Sequence, residues 1–407
     1  MPDLHHRLAR RVDAIEPFRV MEMVKAAAAL TRAGHDVISM SVGEPDFTAP
    51  DMVAQAAMDA IRKGATQYTE SLGLPALRDA IAAHYARAYG LDISPQRIVV
   101  TAGASAGLLL ACAALVAEGD EVLMPDPSYP CNRHFVSAFG GNAVLVPSGA
   151  AERYQLTADH VAEHWNERTR GVIVASPSNP TGTSMTPAQT QGVIEAVRAR
   201  GGFSIVDEIY QGLYYGQLSY GQLGGEQRGD RATSALSFGD DVITVNSFSK
   251  YFSMTGWRLG WLVLPESLVP AVEKLAQNLF ICAPAIAQHA ALAAFHDDAI
   301  AIFEERRAEF RRRRDFLVPA LRDLGFAVPV LPDGAFYVYA DITGLDHPAA
   351  HDSSAFGMAV LRDALVAIVP GDDFGVAAPK RHVRFSYATK YERIEQAVER
   401  LARLLGR

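Results

Sequence analysis

Past residue 50 the chain alternates between two kinds of apolar spacing. Stretches with apolar positions three and four apart predict helices at 51–63, 74–89, 105–117, 131–139, 158–164 and 187–200. Between many of them lie short apolar runs, at 98–100, 121–124, 143–146, 171–175, 203–206 and 241–245, which predict strands. Short strands alternating with helices mark an α/β fold with a mostly parallel sheet covered on both faces. Ahead of this region, 15–32 reads as a helix, closed off by the turn-rich stretch Ser41-Val42-Gly43-Glu44-Pro45-Asp46-Phe47. After it the pattern changes: long helices at 266–295 and 299–324, strands at 336–339, 367–369 and 382–386, and a last helix at 391–405 predict a smaller α+β domain. No repeat, low-complexity segment or long Pro/Gly linker intervenes, so the domains are expected to pack closely. The expected division is an N-terminal segment 1–48 packing with the small domain, a large domain 49–285 and a small C-terminal domain 286–407.

Composition narrows the function classes. With 407 residues, 49% hydrophobic and 21% charged, the chain can bury two sizeable cores. Its net charge of -8 leaves no electrostatic footprint for nucleic acid. The longest apolar run, 108–117, is about half of a membrane span. Residues 1–13 carry His and Arg where a signal peptide is apolar, so a cytoplasmic protein is expected. Cys112, Cys131 and Cys282 are widely spaced and predict reduced, mostly buried thiols. His5-His6 has no companions at ligand spacing, so no metal site is expected. The run Arg311 to Arg314 is read as the solvent face of a Glu-rich helix rather than an anion site.

In an open parallel sheet, ligands bind beyond the carboxyl ends of the strands, so the residues following each apolar run are the candidates. Thr101-Ala102-Gly103-Ala104-Ser105-Ala106-Gly107 opens a helix and suits a phosphate, although small residues at such a turn serve packing equally well. Asn179 stands in Ser176-Pro177-Ser178-Asn179-Pro180-Thr181-Gly182, where Asn-Pro alone signals only a turn. Asp207 ends a buried strand, a costly place for a carboxylate unless a cation pairs with it; a helix N-cap is the plain alternative. Lys250 follows another core strand closely, where desolvation would yield a nucleophilic amine; in isolation a surface lysine explains it as well.

Together these segments resemble class I and II aminotransferases, enzymes dependent on pyridoxal 5'-phosphate (PLP). Asn246-Ser247-Phe248-Ser249-Lys250-Tyr251-Phe252-Ser253-Met254-Thr255-Gly256-Trp257-Arg258-Leu259-Gly260 is similar to their cofactor-attachment signature. Further blocks follow in family order: Ser41 to Phe47, Gln67-Tyr68-Thr69, Gly73-Leu74-Pro75-Ala76-Leu77-Arg78, Asn179-Pro180-Thr181-Gly182 and Asp207-Glu208-Ile209-Tyr210. Gly334-Ala335-Phe336-Tyr337, Val369-Pro370-Gly371 and Val383-Arg384-Phe385-Ser386-Tyr387 complete the set.

The resemblance implies PLP fold type I, with a seven-stranded, mostly parallel sheet in a large PLP-binding domain. It implies Lys250 as the Schiff-base lysine and general base, Asp207 on the pyridinium nitrogen, and Asn179 and Tyr210 on the ring 3'-oxygen. Tyr129 would stack on the ring. Ala104, Ser105 and Ala106 would meet the phosphate with Ser247, Ser249 and Arg258, and Tyr68 would reach the phosphate of a neighbouring subunit, implying a homodimer with sites at the interface. Arg384 would clamp the substrate carboxylate, helped by Asn179 and the Gly43 backbone.

The implied reaction moves an amino group from an L-amino acid to a 2-oxo acid in two half-reactions. A subset of the relatives that use aspartate carries a lysine where Ser105 stands and small polar residues where Phe18 stands. Alanine or apolar or aromatic donors are therefore expected over aspartate. A carbon–sulfur lyase on the same fold shares these motifs and is the alternative. A PLP-sensing regulator is disfavoured, because residues 1–14 are too few for a DNA-binding module.

Overall fold

In a computed structural model the structure describes residues 8–13, 15–17, 20–216 and 232–407. The described chain enters through helix α1 (Val20–Arg32) and a short strand β1 (Ile38–Ser39). Helices α2 (Asp51–Arg62) and α3 (Pro75–Tyr89) lead into the large sheet. Its strands are β2 (Ile98–Thr101), β3 (Glu121–Asp126), β4 (Asn142–Pro147), β5 (Thr169–Ala175), β6 (Phe203–Asp207), β7 (Ile243–Ser247) and β8 (Gly260–Val263). Between them run α4 (Ala104–Leu115), α5 (Pro130–Ser137), α6 (Ala158–His164) and α7 (Pro187–Arg198).

The spatial order is β2-β8-β7-β6-β5-β3-β4, parallel except where β8 lies antiparallel between β2 and β7. Every residue of β2, β3, β7 and β8 is buried, and β2, β3 and β7 accordingly read as short apolar runs rather than alternating ones. The predicted sheet is therefore present, with element ends displaced by one or two residues. The seventh strand, β8, has no counterpart in the sequence pattern: four residues that turn straight back from the Lys250 segment carry too little periodicity to announce themselves.

Two helix predictions need correction. The helix expected at 15–32 does not include Ile15, Glu16 and Pro17, since Pro17 disfavours helical backbone at Glu16; it is described from Val20, whose N–H donates to the Asp373 carboxylate at 2.6 Å. The helix expected at 266–295 is two, α8 (Val269–Leu279) and α9 (Ala285–Ala293). They are split where Ile281 takes a left-handed φ of 67° and Pro284 lacks the N–H to continue a helix.

Helix α10 (Asp297–Asp323) comes next, followed by β9 (Tyr337–Asp341), α11 (Ser353–Ala364), β10 (Val366–Ala367), β11 (Val369–Pro370), β12 (His382–Ser386) and α12 (Tyr391–Leu404). Strands β11, β12 and β9 form an antiparallel sheet, while β1 pairs in parallel with β10, tying the N-terminal segment to the C-terminal region.

The arginine run is not a solvent face throughout. Arg313 and Arg314 are only 3% and 7% exposed. Arg313 pairs with Asp46 at 2.8 Å and Glu309 at 2.9 Å, and Arg314 donates to the Pro332 carbonyl. Consecutive residues on a helix step around it by about 100°, so a four-residue run must pass through the packed side of α10. The guanidinium groups there are buried because each has an internal acceptor. Of the cysteines, all free, only Cys112 is buried; Cys131 and Cys282, at a helix start and in the α8–α9 break, are half-buried. Among the described residues no helix is long and apolar enough to cross a membrane, and no group of His, Cys, Asp or Glu could hold a metal ion.

Candidate active site

Strands β5, β6 and β7 run side by side in register, pairing Ala175 with Asp207 and Asp207 with Val245, so the residues that end them share one rim of the sheet. A cleft opens beyond that rim. Helix α4 points its N-terminus at one end. Gly103, at a φ of 85°, precedes it with no side-chain cap, and the first helical bond runs from the Gly107 N–H to the Gly103 carbonyl. The N–H groups of Ala104, Ser105 and Ala106 therefore come before that bond and carry the positive end of the helix dipole. Arg258 stands against this turn, close enough that a Cβ on Gly103 would lie 2.7 Å from its guanidinium. The Ser247 hydroxyl donates to Ser249 Oγ at 2.9 Å, and both line the same end.

At the middle of the cleft Asp207 is 4% exposed and accepts the Ile209 N–H at 3.0 Å. Burial pushes its pKa up to about 6, against the pull of that N–H and of the Lys250 charge. Tyr210, also buried, lies with its hydroxyl 2.8 Å from that of Tyr337, and Tyr129 lines the same wall.

Lys250 follows β7 by three residues and donates from Nζ to the Gly43 carbonyl. Burial is the main cause that lowers its pKa to about 8, with Arg384 and Arg258 adding to the effect while Glu44 and Asp207 oppose it. An appreciable fraction of a free amine is therefore unprotonated near neutral pH.

Strand β12 delivers Arg384, 2% exposed, to the other end. It donates to Asn179 Oδ1 at 2.9 Å and to the Ser41 carbonyl at 2.7 Å, and its guanidinium faces the Tyr337 ring at 4.4 Å. Its Nε is buried with no partner, a donor left over for an incoming acceptor.

The cleft thus gathers Gly43, Ala104, Ser105 and Tyr129 with Asn179, Asp207, Tyr210, Ser247, Ser249, Lys250, Arg258 and Arg384, drawn from segments far apart in sequence. Two of the described candidates are not on its wall, and a third cannot be placed. Ala106 is buried in the first turn of α4 behind Ala104 and Ser105, because the helix turns its side chain inward. Tyr68 is 79% exposed and does not line the cleft of its own chain. Phe18 lies outside the described residues. Conversely, Val20, Leu108, Ile209, Thr255 and Tyr337 line the cleft without having been assigned a role from sequence. The signal was available for Tyr337 and Ile209, which stand inside blocks already singled out; nothing in the pattern of α1 marked Val20.

Fold and cleft define an α/β protein in which a lysine amine and a buried carboxylate at the carboxyl rim of the large sheet share one cleft with a buried arginine from the small sheet. Residues 35–401 match the family model for aminotransferase class I and II. The chain is 40% identical to the valine–pyruvate aminotransferase of Mycobacterium tuberculosis over 97% of each chain. It is 35% identical to a probable aspartate/prephenate aminotransferase of Aquifex aeolicus over 98% of each. The crystal structure of an aminotransferase from Mycobacterium tuberculosis superposes with a TM-score of 0.91 at 40% identity, covering 98% of this chain and 99% of that one. The chain belongs to the class I and II aminotransferase family, has its PLP fold type I architecture, and is a transaminase.

Proposed function

We propose that the protein is a PLP-dependent homodimeric transaminase that takes alanine or an apolar or aromatic L-amino acid, rather than aspartate, as donor and passes its amino group to a 2-oxo acid. The observation that carries the substrate reading is a count of charges. The cationic side chains among the described residues lining the cleft are Lys250, Arg258 and Arg384. The cofactor and the α-proton would engage Lys250, a phosphate Arg258 and an α-carboxylate Arg384, leaving no basic side chain among these described residues for a distal carboxylate, and Val20, Leu108 and Ile209 add apolar wall. The name of the valine–pyruvate relative points the same way, and the relatives named above are aminotransferases, so the lyase alternative is without support.

The residues fit the cofactor. Its phosphate suits the uncapped N-terminus of α4 with Arg258, Ser247 and Ser249, with Tyr68 of a second subunit reaching in from outside. Its pyridine nitrogen, when protonated, would give Asp207 the cationic partner that burial makes necessary. Tyr129 would cover the ring face, and Tyr210 and the Asn179 amide would reach its phenolic oxygen. When bound, PLP supplies an electron sink and a temporary place for the amino group. Arg384 holds the substrate α-carboxylate, with the Asn179 amide and the Gly43 backbone beside it, and orients the Cα–H bond toward Lys250. Lys250 Nζ, unprotonated, would accept the α-proton and pass it on to the bound cofactor. The apolar wall keeps water from the reacting carbon.

Adding amino acids singly to the PLP-loaded protein, without an oxo acid, tests this reading. Alanine, valine or an aromatic amino acid should discharge the visible band and release one equivalent of 2-oxo acid. A catalytic efficiency with aspartate above that with every apolar donor would overturn the substrate reading. Absence of any visible band after PLP addition would overturn the cofactor reading.

A further inference from the structure

We propose that Tyr337 is a positioning residue of the transamination site, its hydroxyl presenting Tyr210 and its ring face supporting Arg384, so that one side chain fixes both polar ends of the substrate position. The inference rests on the PLP reading above. Tyr337 begins β9 and pairs with Ser386 of β12, which puts Arg384 two residues along the partner strand on the same face. Its side chain is fully buried. The guanidinium of Arg384 lies 4.4 Å from the centre of the Tyr337 ring, with Phe374 at 5.0 Å from the same guanidinium. This cation–π contact holds the group while two of its nitrogens are tied to Asn179 and Ser41.

The hydroxyl end is equally constrained. It sits 2.8 Å from the Tyr210 hydroxyl and would lie 3.0 Å from a Cβ at Gly43, whose carbonyl receives Lys250. Tyr210 has one proton to give. If that proton serves the cofactor's phenolic oxygen, the Tyr210 oxygen must accept from Tyr337, and a donor that is itself hydrogen-bonded in this way donates more strongly. The site would then approach the phenolic oxygen along two arms, Tyr337 through Tyr210 and Arg384 through Asn179. The charged and titratable groups around these arms are Lys250, Asp207, Glu44, Arg258, Arg384 and Tyr129.

Removing only the hydroxyl separates this role from a packing role. In the PLP-loaded Tyr337→Phe protein, the pH midpoint of the visible band should rise by about 0.5 to 1 unit relative to the parent, because the phenolic oxygen loses part of its stabilisation. Its affinity for L-valine and L-alanine, read from the same band, should stay within about twofold, since the ring under Arg384 remains. Tyr337→Leu, which removes the ring, should weaken both amino acids about tenfold or more. An unchanged midpoint in Tyr337→Phe, or equal losses of amino-acid affinity in the Phe and Leu variants, would overturn the proposal while leaving the PLP reading intact. A parent protein that shows no visible band with PLP would overturn both.

Discussion

Asp207 should be a residue that the cofactor-free protein holds at a cost. Its carboxyl is buried at the end of β6, and its folded pKa of about 6 lies some two units above the ordinary 3.8. A carboxyl raised in this way contributes its full share of stability only below its unfolded pKa, and that share is lost as pH rises through about 6. At pH 8 the ionised side chain therefore destabilises the folded state by about 3 kcal/mol, at about 1.4 kcal/mol per unit. Asp207→Asn keeps the shape and an oxygen for the Ile209 N–H, so it should stabilise the apoprotein by about that amount at pH 8 and by little near pH 4. Glu208, raised to about 7 chiefly by burial, titrates in the same window; the Asp207 charge also raises it, so the variant relieves that part as well, in the same direction. Denaturant unfolding of PLP-stripped parent and variant at matched protein concentration, from pH 4 to 8, reads the difference. With PLP bound the gain should disappear or reverse, because the parent then has a cationic partner that Asn cannot use. An apoprotein variant no more stable relative to the parent at pH 8 than at pH 4 would refute the reasoning.

Lys250→Ala should lower turnover by about ten-thousand-fold while leaving the thermal midpoint of the apoprotein no lower, since the amine is already partly desolvated; steady-state kinetics beside calorimetry checks both. Arg384→Ala should weaken amino-acid binding by at least about 30-fold with PLP affinity changed only a few-fold, and titrations of each ligand separate the two. Gly260→Ala should destabilise the protein by at least about 2 kcal/mol, because the added Cβ would meet the Ala104 nitrogen and the Asn246 carbonyl at 2.7 Å; thermal unfolding of the purified variant measures it.

What could be read from the sequence follows from how the fold builds its site. In a parallel sheet each strand is a buried apolar run, and a polar residue at its carboxyl end is an abrupt change of chemistry. Asp207 and Lys250 stand at such changes, and the register of β5, β6 and β7 brings those ends together without further instruction. Arg384 has no such mark, because β12 belongs to a sheet of its own and only the resemblance of its block assigned it a role. Local pattern also fails wherever the answer depends on what lies across from a residue. Arg313 and Arg314 read as solvated charges because the local partners Glu309 and Asp315 suit an exposed helix face, while the acceptors from outside the helix, Asp46 and the Pro332 carbonyl, cannot be seen in the local pattern. Tyr337 reads as one aromatic in a buried strand, and its partners lie 127 residues before it in Tyr210 and across the small sheet in Arg384. The break at Pro284 is the exception: its residue type alone argues against one helix through 266–295. The residues proposed to meet the reacting atoms are thus legible where one strand end decides their environment. The elements that orient them become visible only when both sheets are in place, and for that reason the side chains joining the two sheets are where substrate preference in this chain should be sought.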